Sequence, residues 1–231
     1  MTFKPGFKAR TLIGDFSYSS KLNQVSFPGV VEMLDSTTFA DNGVKRSVPG
    51  LATSTASASG FADPEAVADG VAWTTAQPLT YGQEGTAHGS PVFMVDALKT
   101  SLEVGSPVAG LVSFDLAAQT DGWTNFGNSL HDLTAETATA DGTGYDGAAA
   151  TTAGGFGHLH VTAFSGFTNI IVTIQDSADN ASFATIGTFA TVTGATGERL
   201  AIAGTVRRYV RASWTKTGTG SCTFAVAFAR N

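Results

Sequence analysis

Residues 33–63 read MLDSTTFADNGVKRSVPGLATSTASASGFAD, and this stretch decides the fold. It begins with strand-like residues, passes through the polar, glycine-containing segment 35–49, and resumes in a Ser/Thr/Ala alternation of period two, which is typical of a strand. A connection of this length exceeds a tight hairpin turn, and such loops are usually functional or disordered. The stretch carries no nucleophile–base pair, metal-ligand cluster or phosphate cradle. It therefore predicts an arm that docks on a neighbouring subunit.

The composition favours a β-rich chain with extensive buried contacts. Charged residues make up 14% of the 231 residues, against about a quarter in ordinary proteins, and Gly, Ala, Ser and Thr take their place. The 16 Phe and 3 Trp exclude a disordered chain. This length supports one large or two ordinary domains. The single cysteine, Cys222, is in phase with Phe224 and Val226, which predicts a small buried hydrophobe and no intrachain disulfide.

The charge balance disfavours a nucleic-acid-binding surface. The formal net charge is −6, with 7 Lys/Arg and 12 Asp/Glu in residues 1–130, and 6 and 7 in residues 131–231. Affinity for nucleic acid comes mostly from Lys and Arg on phosphates, so this chain suits a surface past which DNA slides without binding. The first residues lack an apolar signal segment, and no apolar run reaches 18 residues. Assembly in a cytoplasm, without membrane insertion, is therefore expected.

Short strand patterns separated by Gly, Pro, Asn and Asp turns run along the whole chain. They lie at residues 24–27, 30–34, 52–61, 92–104, 108–117, 159–164, 170–175, 188–193, 199–203, 209–214 and 222–229. One short helix is predicted at 64–71, with proline first and Gly70 near its end. Small and turn-forming residues fill 132–157, which predicts a linker followed by a weak strand. The chain is therefore expected to be mainly β, with two β-sandwich or barrel modules, 1–131 and 132–231.

Two side-chain clusters are candidates for binding. His158 and His160 project from one face of a predicted strand, but no third metal ligand lies nearby in sequence, so surface or interface histidines are expected rather than a metal site. Arg207, Arg208 and Arg211 form the one basic cluster. It predicts either a contact with a phosphate or a partner's acidic groups, or a solvated strand face with salt bridges and aromatic stacking.

No catalytic signature is present. Gly-x-Ser-x-Gly and His-Glu-x-x-His are absent, and the glycines of 154–157 do not open a helix. Asp176 and Asp179 lack the ligand spacing of a calcium loop and predict a turn. The sequence therefore predicts neither an enzyme nor a cofactor or metal site. Trp73, Trp123 and Trp214 would stack on sugar rings if exposed, but a Trp that alternates with Val210 and Ala212 more often belongs to a core.

Residues 34–51, LDSTTFADNGVKRSVPGL, together with the alternating strand 52–60, resemble the tail tube (major tail) proteins of long-tailed bacteriophages. Parts of the second half are also similar to tail proteins of this group. They are residues 157–164, 172–179, 203–214 and 224–230. Simple tail tube proteins have one β module, whereas two are predicted here. The second would then decorate the tube exterior or belong to the ring, or the chain would be another virion component.

This resemblance implies a β-sandwich subunit that forms hexameric rings, which stack into a hollow tube conducting DNA from capsid to cell. It implies no catalysis and no cofactor. The location would be the virion tail, after assembly in the host bacterial cytoplasm, and the partners would be further copies and the tape measure, terminator and distal tail proteins. The inter-subunit loop would use Asp35, Thr37, Thr38, Phe39, Asp41, Lys45, Arg46 and Pro49. The alternatives are a decoration protein of the capsid or tail and a carbohydrate-binding virion module.

Overall fold

A computed structural model describes residues 8–27, 29–38 and 44–231 of the chain, with the backbone alone described for residues 29–33, 49–53 and 121–123. Within this part, fourteen strands and one helix form, so the expectation of a mainly β protein is confirmed. The strands are β1 Arg10–Ile13, β2 Phe16–Ser17, β3 Leu22–Ser26, β4 Gly29–Asp35, β5 Ser47–Phe61, β6 Gln77–Gly82, β7 Pro91–Gly105, β8 Ser113–Glu136, β9 Ala140–Asp141, β10 Tyr145–Asp146, β11 Gly155–Ser177, β12 Ala184–Thr188, β13 Thr196–Ile202 and β14 Tyr209–Arg230.

The helix α1, Pro64–Ala72, confirms the predicted helix and ends one residue later. Asp63 caps it, because its carboxylate accepts hydrogen bonds from the backbone N–H groups of Glu65 at 3.1 Å and Ala66 at 3.3 Å. At the other end, Lys99 Nζ donates to the Gly70 carbonyl oxygen at 2.6 Å, so a cation satisfies a carbonyl at the negative end of the helix dipole. No helix in the described residues is long and apolar enough to cross a membrane.

The chain divides into two compact units, each assembled from separate segments. The main unit comprises Met1–Lys21, Gln77–Asp96 and Asn125–Asn231, and the hairpin unit comprises Leu22–Ala76 and Ala97–Thr124. This division differs from the contiguous modules 1–131 and 132–231, because β7 and β8 each run from one unit into the other. The segment predicted as a linker contains the end of β8 as well as β9, β10 and the start of β11. Whether 132–231 folds as an independent module stays a prediction.

The main unit is built around the long antiparallel pair β11 and β14, which runs from Gly155 opposite Arg230 to Ser177 opposite Tyr209. On one side of this pair, β14 also pairs with β8; on the other side, β11 pairs with β12 and β13. Cys222 is fully buried in the resulting apolar core, as its strand phase predicted, and burial raises the pKa of its thiol to about 11. Other core side chains are Leu159, Val161, Ile170, Val172, Trp214 and Phe224.

The hairpin unit is organised by β5, which pairs antiparallel with β3, β4 and β8. The Ser/Thr/Ala alternation of β5 separates its two faces, since Ala56 and Ala58 are buried whereas Thr55 and Ser57 are exposed. The strand connects two tips of the unit that carry the candidate functional residues.

Candidate assembly surface

Strands β4 and β5 form a hairpin that extends further than the sequence predicted. Leu34 lies opposite Val48, and Asp35 lies opposite Ser47. The predicted loop 35–49 is therefore too long, because its first residue belongs to β4 and its last three belong to β5. The connection is 36–46, which still exceeds a tight turn. We call residues 34–38 and 44–48 the arm tip.

Backbone and hydroxyl contacts close the base of the arm tip. The Ser36 N–H donates to the Arg46 carbonyl oxygen at 3.0 Å, and the Arg46 N–H donates to Thr37 Oγ1 at 2.9 Å. The Thr37 N–H donates to Asp35 Oδ1 at 2.8 Å. Through its side chain and this N–H, Thr37 lowers the pKa of the Asp35 carboxyl. Two of the predicted contact residues, Asp35 and Thr37, therefore shape the loop.

The arm tip exposes apolar side chains beside basic ones. Val44 is 61% exposed, and Leu34 and Val48 are each 47% exposed. Lys45 and Arg46, two of the predicted contact residues, are exposed next to Val44. Thr38 is exposed as well. The predicted contact residues Phe39 and Asp41 and the side chain of Pro49 lie outside the described part of the chain.

A second exposed apolar group lies where β7 turns into β8. Val108 is fully exposed, Leu111 is 70% exposed, and Val104 and Val112 are each more than two-fifths exposed. The strand predicted at residues 108–117 begins only at Ser113 in the structure, so the apolar residues before it lie outside the strand. We call residues 103–115 the β7–β8 tip.

The hairpin unit carries nearly all such exposure and all of the net charge. Of the eleven large hydrophobic side chains exposed in the described residues, ten lie in the hairpin unit and only Phe126 lies in the main unit. The hairpin unit holds 3 Lys/Arg and 9 Asp/Glu, a net charge of −6, whereas the main unit holds 10 of each. Exposed apolar side chains usually mark interaction sites when they are grouped.

One face of the hairpin unit is polar. Ser59 of β5 lies opposite Asp115 of β8, so both side chains project from the same face of the sheet. A hollow of about 320 Å³ on this face is lined by Ser57, Ser101 and Glu103 as well. Residues 100–120 contain no Lys or Arg, so this end of the unit presents carboxylates without basic counterparts in the same segment.

The arginine cluster is engaged within the chain. Asp176, only 2% exposed, accepts from the Arg207 backbone N–H at 2.7 Å, from Nε at 2.9 Å and from Nη2 at 2.6 Å. Arg208 pairs with Asp146 at 2.6 Å and lowers the pKa of that carboxyl to about 2. Arg211 pairs with Asp141 at 3.0 Å. These contacts match the alternative of a strand face with salt bridges; a role in partner binding stays a prediction.

His158 and His160 are completely buried, so the expectation of surface histidines is wrong. The side chains on both faces of β11 are buried from residue 155 to residue 161. The alternation of side chains along a strand does not show whether both of its faces are buried. The Thr80 hydroxyl of β6 lies 3.0 Å from His158 Nδ1 and 2.8 Å from His160 Nε2. Burial lowers the pKa of His160 to about 4 and that of His158 well below its usual range, with the neighbouring His160 and Arg199 contributing to the latter.

Other candidate sites also have structural roles. Asp179 accepts from the backbone N–H groups of Ala181 and Ser182, which confirms the predicted turn. Trp73 and Trp214 are 5% and 4% exposed, so neither can stack on a sugar, and the Trp123 side chain lies outside the described part. Among the described residues, no three His, Cys, Asp or Glu side chains gather in a way that could hold a metal.

The chain matches no protein-family model and no curated protein. Among solved structures, it is similar to the tail of an empty gene transfer agent (GTA) particle, with a TM-score of 0.42 and 15% identity over 54% of this chain and 98% of that one. It is also similar to the SPP1 tail tube, with a TM-score of 0.40 and 12% identity over 51% of this chain and 76% of that one. A third similar structure is the SPP1 Dit protein, described as a hub of the adsorption apparatus. Its TM-score is 0.37, with 13% identity over 96% of this chain and 98% of that one. These values by themselves assign neither a family nor a function.

Proposed function

We propose that this chain is a structural protein of a bacteriophage tail, and more specifically a tail tube subunit that assembles into stacked rings around a DNA channel. The proposal joins the sequence resemblance of residues 34–51 to the surface chemistry of the hairpin unit. Rings of six copies are the expected state. The further partners would be the tape measure, terminator and distal tail proteins.

One observation carries the proposal: in the part of the chain that the structure describes, ten of the eleven exposed large hydrophobic side chains lie in the hairpin unit. Exposing Val44, Val108 and Leu111 to water is unfavourable by roughly 25 cal/mol for each Å² of apolar surface, and association with another copy removes that penalty. Among the described residues of the main unit, in contrast, Phe126 is the only large apolar side chain that is exposed. Self-assembly through the hairpin unit explains why the two units differ.

The charge distribution supports passage of DNA without binding. A hairpin unit of net charge −6 would repel phosphates if its acidic residues faced a channel, and weak binding keeps transit fast. Lys45 and Arg46 are two of the three basic residues in this unit. Their position on the arm tip suits contact with protein carboxylates and leaves the rest of the unit acidic.

Negative-stain microscopy and light scattering of the purified chain over a wide concentration range test the proposal. Rings or tubes with a central channel are expected. In phage particles, antibodies to the chain should label the tail along its length. A chain that stays monomeric at high concentration and is absent from tails would rule out this function.

A further inference from the structure

The arm tip and the β7–β8 tip lie at opposite ends of one strand. Asp35 pairs with Ser47 where β5 begins. Phe61, where β5 ends, pairs with Ser113, and the neighbouring Ala62 N–H donates to the Val112 carbonyl oxygen at 2.9 Å. The fifteen residues of β5 span roughly 45 Å at about 3.3 Å per residue. Neither tip can therefore cover the other within one copy, and the exposure of both agrees with this.

The two tips are complementary in chemistry. The arm tip presents the apolar Leu34, Val44 and Val48 beside two basic side chains, Lys45 and Arg46, and one carboxylate, Asp35. The β7–β8 tip presents exposed valines and Leu111 between two exposed carboxylates, Glu103 and Asp115. Apolar groups that meet in the centre of an interface with opposite charges at its rim are the usual anatomy of a specific contact.

We propose that the arm tip of one copy binds the β7–β8 tip of the next copy, with Lys45 and Arg46 facing Glu103 and Asp115. This inference rests on the proposed function and identifies the surface that receives the arm. The contact is head-to-tail, because each copy contributes a different surface to each of its two neighbours. Interfaces of this kind build rings or open filaments rather than closed two-fold dimers.

Charge reversal in trans tests the contact. Lys45→Glu with Arg46→Glu, and separately Glu103→Lys with Asp115→Lys, should each raise the concentration needed for assembly by about tenfold or more, because like charges then face each other. Equimolar mixing of the two variants should restore assembly, since every arm then meets a tip of opposite charge. Glu65→Lys with Asp69→Lys is the matched control for the Glu103 and Asp115 variant, because it makes the same change in net charge on α1, and it should assemble like the native chain.

Cysteine cross-linking gives a second readout that does not depend on the strength of assembly. Val44→Cys and Leu111→Cys chains, mixed and oxidised, should form a disulfide-linked dimer, whereas either variant alone should form little. Cys222 is fully buried and does not compete. Phe126→Cys, in the main unit, replaces Leu111→Cys in the control and should not cross-link to the arm.

The outcomes separate this inference from the proposed function. If the native chain fails to assemble under any condition, the proposed function fails. If the native chain assembles but the Glu103 and Asp115 variant assembles equally well, or mixing does not restore assembly and no cross-link forms, the arm binds elsewhere and this inference alone is overturned.

Discussion

His160 donates a hydrogen bond from Nδ1 to the carbonyl oxygen of Gly14, 2.8 Å away in the turn between β1 and β2. A carbonyl oxygen can only accept, so this contact places the proton of the neutral ring on Nδ1. His160 Nε2 then accepts from the Thr80 hydroxyl, which in turn accepts from His158 Nδ1. One backbone oxygen thus sets the direction of the hydrogen bonds and the tautomers of both histidines.

Acidification should destabilise the main unit because the folded state resists protonation of these rings. The pKa of His160 is lowered from 6.5 to about 4. The unfolded chain therefore binds the proton first, so the stabilisation is complete above pH 6.5 and is lost as the pH falls towards 4. His160 alone should contribute about 3 kcal/mol to this loss. Urea unfolding between pH 7.5 and 4 measures it.

Two charged groups near the histidines act in opposite directions. The Asp96 carboxylate lies 3.9 Å from His158 Nε2 and would favour its protonation, whereas Arg199, 3.5 Å from Asp96, opposes it. His88→Asn, which alters a histidine outside this cluster, is the control and should keep the pH dependence. Equal stability at pH 7 and pH 4.5 in the native chain would contradict the prediction.

Thr80→Val should destabilise the main unit at neutral pH. Valine keeps the shape but removes the hydroxyl, which leaves His160 Nε2 and His158 Nδ1 buried without their hydrogen-bonding partner. The loss of a hydrogen-bond partner for two buried ring nitrogens should lower the free energy of unfolding by about 2–4 kcal/mol. The exposed Thr100→Val should change it by less than about 0.5 kcal/mol, and similar values for both variants would refute the shared-hydroxyl role.

Gly197→Ala should also destabilise the main unit. Gly197 pairs with His160 in the β11–β13 register, and a Cβ atom there would lie 2.4 Å from the Gly14 Cα atom. The Gly14 atoms that this Cβ would meet all belong to the backbone, so relief requires β13 to move away from the β1–β2 turn, at a cost of about 1–3 kcal/mol. Gly194→Ala has open space around it and should be neutral. Chemical denaturation of the two variants side by side measures the difference in their free energies of unfolding.

Replacing residues 36–46 by Asn-Gly should abolish assembly without unfolding the chain. Asp35 and Ser47 face each other in register, and Asn-Gly closes two facing strands in a tight turn. The replacement removes the arm tip except for the paired residues 34–35 and 47–48, so β4 and β5 stay paired. Circular dichroism should retain the β spectrum and microscopy should show no tubes. Gly194→Ala chains should assemble normally, and tubes formed by the shortened chain would exclude docking by the arm.

The local features of the fold could be predicted from the sequence. Asp63 and Pro64 determine where α1 begins, and the strand phase placed Cys222 in the core. The long-range features could not be predicted. The alternation of His158 and His160 is visible in the sequence, but the Thr80 hydroxyl that contacts both rings lies about eighty residues away in the chain. Likewise, the division into units depends on where β7 and β8 cross from one set of partners to another.

Only one of the two tips of the candidate assembly surface could be predicted from the sequence. Lys45 and Arg46 stand out in a polar loop, and the structure exposes both. Val108 and Leu111 have the composition of a buried strand, so only the structure places them on an exposed tip. A hydrophobic pattern gives the period of a strand but not which of its residues remain uncovered.

The placement of the two tips at opposite ends of β5 gives any head-to-tail stack a polarity. One terminus of such a stack presents unoccupied arms, and the other presents unoccupied β7–β8 tips. A protein that caps the first terminus must offer an apolar, acidic cup, whereas one that starts growth at the second must offer a basic, apolar projection. Initiation and termination would then be carried out by different proteins, and the structure of each subunit would determine the direction of growth.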